Sequence, residues 1–347
     1  MLHQYFLAGL LLVNATCNPK SSPSTFHAGA DTTFTNPLLA GGPDPWVEQK
    51  DSTYYYMNTS GNGISLCATN RMSELNKGVF TTIWTPPATG MYSKEIWAPE
   101  IHYLQNKWYV YFAADDGDND HHRIYALECA DADPVHGSWI FRGKVADTLA
   151  DTWAIDASVF TYNGQLYMVW SGWPGAVNTE QDLFIARMKD PLTFDGPRVM
   201  IASPRYDWEK TGAPPAVNEG PEALVHDGRL FLTYSASGCW TDSYALGLLT
   251  LRQGGDPLVP ADWSKTLTPV FSTVPGNGAY APGHNGFFRS RDGREDWIIY
   301  HANTRAGQGC GDARNPRMQP FSWNADGSPH FGQPVHIGTP LRRPGGE

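Results

Sequence analysis

Apolar positions along the chain gather into short runs rather than helical periods, and five of these runs are aromatic: TYYYM (53–57), WYVYF (108–112), LYMVW (166–170), LFLTY (230–234) and WIIYH (297–301). Short runs rich in aromatic and β-branched residues, bounded by turn residues, predict strands. Each run follows a turn: DS at 51, QNK at 105, NG at 163, DG at 227 and DG at 292. Before each turn lies another short apolar segment: DPWVEQ, APEIHYL, IDASVFTY, EGPEALVH and HNGFFRS. A further strand follows later, as in ISLCAT, IYALECA, LFIARM and ALGLLTL. The unit is therefore strand, tight turn, aromatic strand, longer loop, strand. Hairpins repeated in this way predict an all-β fold, a five-bladed β-propeller in a single domain over 34–347. No helical stripe competes; SELNKGVF is at most a short turn of helix.

The N-terminus departs from the pattern. An apolar run from Tyr5 to Val13 is too short to span a bilayer and is followed by small residues, Val13-Asn14-Ala15. Residues 1–15 read as a signal peptide and 16–33 as a polar Ser/Thr/Pro linker, so a secreted protein without a membrane partner is expected.

Composition narrows the partners. The formal net charge of -10 is spread along the chain with no basic run, which argues against nucleic acid. With 13 Trp, 16 Tyr and 15 Phe, the chain suits an uncharged substrate that stacks, such as a sugar. Cys239 and Cys310 both lie in loops after aromatic strands and are expected to pair; Cys67 and Cys129 read as small apolar strand residues, and Cys17 lies near the cleavage zone. Asn58-Thr59-Ser60 matches a glycosylation sequon.

In a propeller the first strand of each blade lines the axis, so the residues that open these strands converge. Counting back from each turn gives Asp44, Pro99, Asp156, Glu219 and His284. Three acids at matching places of different repeats repel one another, and such clusters persist where function needs them. The segment PPAVNEGPEALV (214–225) carries two carboxylates three apart, but its prolines forbid a helix. The register groups Glu219 with Asp44 and Asp156, and places Glu222 on the opposite strand face, between blades, as a buried structural carboxylate. Glu100 reads as an ordinary pairing residue. Separate carboxylates in an aromatic-lined cleft are the equipment of glycoside hydrolysis: one protonated acid, one ionised base, and a third group able to raise the acid's pKa. Facing blades separate the pair widely, which predicts inversion of configuration.

Five motifs in order, GGPDPWV (41–47), WAPEIHY (97–103), WAIDASVF (153–160), VNEGPEAL (217–224) and APGHNGF (281–287), resemble glycoside hydrolase family 43, the propeller arabinofuranosidases, xylosidases and arabinanases. The resemblance implies Asp44 as general base, Asp156 as the modulator of the acid's pKa and Glu219 as general acid. It implies one calcium ion in the central channel near His284, held through water because imidazole is a poor calcium ligand. It also implies Trp97 as a sugar-stacking residue and Arg317 as a substrate contact, with Arg314 close by. WSGW (170–173), YDWE (206–209) and YSASGCWT (234–241) lean toward an exo-acting α-L-arabinofuranosidase, a monomer acting on plant cell-wall arabinan or arabinoxylan. Pro43 before the base leans away from endo action. The loop 171–182 with Trp173 and the Cys239 and Cys310 loops are the expected pocket walls. The alternatives are a β-xylosidase, an endo-arabinanase, or a carbohydrate-binding propeller without catalysis, which would have no need of three coaxial acids.

Overall fold

The computed structural model describes residues 32–147 and 150–347; the signal-peptide reading, most of the linker and Cys17 lie outside them. Five antiparallel groups of strands follow one another along the chain. Blade I holds Trp46–Lys50, Thr53–Met57, Ile64–Thr69 and Thr81–Trp84; blade II holds Lys94–Leu104, Lys107–Asp115, Arg123–Cys129 and Trp139–Lys144. Blade III runs Ala154–Tyr162, Gln165–Gly172, Glu180–Asp190 and Val199–Ala202, with Thr193–Phe194 at its edge. Blade IV runs Ala216–His226, Arg229–Ala236, Ala245–Leu251 and Trp263–Lys265, and blade V Tyr280–Arg289, Asp296–Asn303, Asn315–Trp323 and Pro329–His330. Blades III and IV touch through a short parallel contact, Glu180 and Gln181 beside Ala216 and Val217. Thr33–Phe34, at the end of the expected linker, pairs with Leu341–Arg342 and joins the two ends of the propeller.

The aromatic runs are apolar at consecutive positions because each second strand is covered on both faces. With side chains alternating along the strand, Trp108, Val110 and Phe112 pack with Met57, Ile64 and Leu66 of blade I. Their neighbours Tyr109 and Tyr111 pack the other way, with Met168, Trp170 and Phe184 of blade III. Val169, Leu183 and Ile185 then meet Leu230 and Leu232 of blade IV, Leu246 meets Ile298 and Tyr300 of blade V, and Trp297, Ile299 and Met318 return to Tyr54 and Tyr56 of blade I. Each side chain buried in these seams contributes about 1.5–3 kcal/mol. At the outer edge, Trp139–Lys144 alternates between half-buried and exposed, as a strand with one covered face should. First strands also pack against one another in order, and that of blade V meets that of blade I, so the ring closes around an axis.

Candidate active site

Four of the five first strands are interrupted at their inner ends, whereas that of blade I pairs without a break. Pairing with the second strand skips two residues between Trp97 and Glu100, Ile155 and Ser158, Glu219 and Glu222, and Gly283 and Gly286. The first residue of each bulge is left-handed: Ala98 (φ 42°), Asp156 (φ 56°), Gly220 (φ 51°) and His284 (φ 44°), and Asp44 (φ 56°) takes the same conformation before blade I. Bulges re-aim side chains that the plain alternation would send elsewhere. They also correct the counted register: the true equivalents are Asp44, Ala98, Asp156, Gly220 and His284, and Glu219 stands one residue ahead. Gly220 is required there. A Cβ at this position would sit 3.1 Å from Nδ1 of His284, besides straining the left-handed backbone.

Despite that one-residue offset, Asp44, Asp156 and Glu219 line a single cavity of about 420 Å³ together with Trp97 and His284. Both oxygens of Asp44 accept hydrogen bonds, Oδ1 from Arg314 Nη1 at 2.9 Å and Oδ2 from Thr59 Oγ1 at 2.7 Å. Thr59 in turn accepts from the backbone N–H of Ala98, which links blade I to blade II beneath the carboxylate and gives the sequon's middle residue a structural task. Nδ1 of His284 and Nδ1 of His301 each lie 3.4 Å from Asp44 Oδ1. Burial alone would raise the Asp44 pKa, but Arg314 and the two imidazoles outweigh it and hold the group well below the usual carboxylate range. Asp156 accepts the backbone N–H of Gly220 at 3.0 Å; burial first, then Glu219 and Asp44, push it well above that range. Glu219 accepts one hydrogen bond from Tyr244 Oη at 2.8 Å, and burial, aided by the negative charge of Asp44, pushes its pKa up to about 7.

Trp97 is at the cavity, one face stacked on the His122 ring at a centroid distance of 4.0 Å. His122 is fully buried against Asp115, Nδ1 to Oδ2 at 3.1 Å. Neither residue was singled out from the sequence, where a lone His after a loop carries no signal. Arg317 is elsewhere: it is fully buried in blade V and donates to Asn315 Oδ1, Gly278 O and Asn303 O. The cavity arginine is Arg314, three residues earlier in the loop before the strand, where the guanidinium can reach inward. Asn178 and Gln181 of the loop 171–182 line the cavity, whereas Trp173 is buried behind the wall, stacked on Trp153 at 5.1 Å. The disulfide Cys239–Cys310 is formed and is itself part of the wall; Cys67 and Cys129 are free and buried, as their strand positions suggested.

Glu222 is buried with partners, but not between blades. The bulge turns it toward the axis, where it accepts from Ser158 Oγ at 3.0 Å and hydrogen-bonds Glu100. Burial and Glu100 raise its pKa well above the ordinary value. Glu100 also contacts Nε2 of His102 at 3.1 Å, in line with its reading as a pairing residue.

Asp44, Asp156 and His284 do not form a compact direct ligand set for a metal; among the described residues, the group spaced to share one ion is Glu95, Asp115 and His122. Both side-chain atoms of Asn285, next to His284, are buried and make no hydrogen bond within the protein. No described helix is long and apolar enough to cross a membrane.

The model of glycosyl hydrolases family 43 matches residues 34–329. An extracellular exo-α-(1→5)-L-arabinofuranosidase of Streptomyces avermitilis is 40% identical over 329 residues, covering 92% of this chain and 67% of the relative. Alpha-L-arabinofuranosidase 43 of Humicola insolens is 36% identical, covering 99% of this chain and 71% of the relative. The crystal structure of an alpha-L-arabinofuranosidase from Lactobacillus brevis superposes with a TM-score of 0.82 at 37% identity, over 88% of this chain and 98% of that one. With the match running through every blade and the three acids gathered at the axis, the chain belongs to glycoside hydrolase family 43.

Proposed function

We propose that this protein is an exo-acting α-L-arabinofuranosidase that releases single arabinofuranose units from arabinan or arabinose-substituted polysaccharide by inversion. The observation that carries the reading is the split between two carboxyls of one cavity: Asp44 held ionised, Glu219 held protonated up to about pH 7. Glu219 gives its proton to the glycosidic oxygen as the bond from that oxygen to the anomeric carbon breaks. Asp44 takes a proton from a water that attacks the same carbon from the opposite face, and the oxygen of that water becomes the new anomeric hydroxyl. Asp156 acts through position, gripping the backbone of Gly220 beside the acid. Trp97 offers an apolar ring to the sugar, and Arg314 keeps the base ionised.

The exo reading rests on relatives bearing that name and on walls from the loop 171–182 and the bridged Cys239 and Cys310 loops. Secretion and extracellular action are read from the apolar N-terminus together with relatives named as extracellular. A calcium ion in the central channel would be held near His284 as a hydrated ion, where the neighbouring Asn285 amide is buried without a hydrogen bond in the protein; when bound it would offset the repulsion among the carboxylates. Product analysis on linear and branched arabinan tests the function. Arabinose as sole product, formed initially as the inverted anomer by NMR, is expected; oligosaccharides would mean endo action, and release only from xylosides would mean a xylosidase.

A further inference from the structure

Trp240 lines the catalytic cavity yet is 46% exposed, an unusual state for so large an apolar ring. The indole packs closely against backbone: a Cβ at Gly238 would lie 2.2 Å from Cε2, and one at Gly212, itself left-handed at φ 88°, would lie 2.6 Å from Nε1. No side chain fits at either contact, so the backbone approaches the ring closely there while nearly half of the residue stays open. The loop is tied on several sides. Cys239 is bridged to Cys310 of blade V, Gly238 donates its N–H to Thr211 O at 2.9 Å, and the Asp242 carboxylate accepts from Gly307 N–H at 2.9 Å. A partly exposed ring supported by backbone and braced at its base can stack on a ligand with little loss of side-chain freedom.

The position of the loop says which part of a substrate it meets. Four residues after Trp240, Tyr244 donates to Glu219, so this wall flanks the carboxyl that protonates the departing oxygen. Trp97, on the same cavity, belongs to blade II and stacks on His122. We propose that Trp240 is the stacking platform for the sugar on the leaving side of the cleaved bond, a specificity-determining residue for oligosaccharide over small glycosides. This rests on the reading of the protein as an arabinofuranosidase.

The test is steady-state kinetics on α-1,5-linked arabinotriose, with free arabinose as a competitive inhibitor reporting the site of the cleaved sugar. Trp240→Ala is expected to lower kcat/KM on the trisaccharide about tenfold, chiefly through KM, as removal of a central tryptophan anchor does. The inhibition constant of arabinose should stay unchanged, and Trp240→Phe should restore most of the loss. Trp240→Leu, which keeps bulk without an aromatic face, should behave like the alanine variant and covers the case in which alanine fails to fold. Unchanged kinetics in the alanine and leucine variants would overturn the proposal, as would arabinose inhibition weakening in step with KM. Wild-type protein inert on arabinotriose would instead overturn the reading of function, and the platform with it.

Discussion

Asp44, Asp156 and Glu219 of blades I, III and IV, and Glu48, Glu100 and Glu222 of blades I, II and IV, are two groups of carboxyls built on one ring of blades. The first group lines a cavity and its members diverge: Arg314 drags Asp44 down while burial lifts Glu219 to about 7. In the second group both resolved shifts go the same way. Burial raises Glu222 well above its usual value and Glu48 to about 7, and the carboxyls satisfy one another and His102 instead of facing a substrate. Acids buried near an axis are therefore not in themselves catalytic. What separates the groups is access together with a cation placed beside one member only, so that acid and base coexist at one pH.

The comparison breaks most severely at Asp44. Asp44→Asn keeps the shape and loses the base, so kcat should fall by about 10²–10⁴-fold, while arabinose binding measured by calorimetry persists. Loss of binding along with turnover would make Asp44 a substrate contact rather than a base. Glu219→Gln should lose a similar factor on arabinan, where the leaving oxygen needs a proton, and far less on an aryl arabinofuranoside with a good leaving group. In the wild type, kcat/KM should fall as pH rises through about 7, because Glu219 then gives up the proton it must donate. A flat profile from pH 6 to pH 9, measured on arabinan, would contradict the acid assignment.

The blade repeat was legible because sandwiched strands must be apolar on both faces, and the five aromatic runs carried that demand openly. The acids were legible because like charges at matching places of separate repeats have few structural excuses. The bulges were not: two skipped residues in each of four first strands leave no compositional trace except Gly220, and without them Glu219 counts as equivalent to Asp156 and Glu222 as facing between blades. Arg317 and Arg314 could not be separated by spacing, since the choice depends on where the strand Asn315–Trp323 begins. Trp240 lies next to Cys239, whose pairing the sequence suggests, but the support of its ring depends on Gly212, distant in sequence, reaching it.

Arg314 and Arg317 sharpen the comparison at a smaller scale. Removing Arg314 takes away the strongest influence lowering Asp44, so Arg314→Ala should move the acidic limb of the kcat/KM profile to higher pH, with activity near neutrality falling less than in Asp44→Asn. Arg317→Ala should leave that limb in place and act on stability, because the carbonyls of Gly278 and Asn303 lose their donor, at a cost of about 1–3 kcal/mol each where they stay unsatisfied. Equal shifts of the limb in both variants would mean that the arginines act through folding alone.

The smallest effect on activity is expected at Glu222, where the second group can be neutralised without touching the cavity. Its folded-state pKa is raised, so the native protein holds this proton more tightly than the unfolded chain does. The stability this contributes is fully present below the unfolded value of about 4.3 and is lost as pH rises toward the folded one, since the unfolded carboxyl ionises freely while the buried one cannot. Glutamine is neutral at every pH, can still accept from Ser158 and can donate to Glu100. Glu222→Gln should therefore melt at the wild-type temperature near pH 4 and above it near pH 8, with kcat/KM on arabinan within about twofold of wild type, as for a change outside the reacting groups. The same exchange at Glu219 should raise the melting temperature at pH 8 for the same reason while removing the activity. If Glu222→Gln instead destroyed turnover without loss of stability, the carboxyls of the second group would belong to the proton economy of the reaction, and the division between the two groups would not stand.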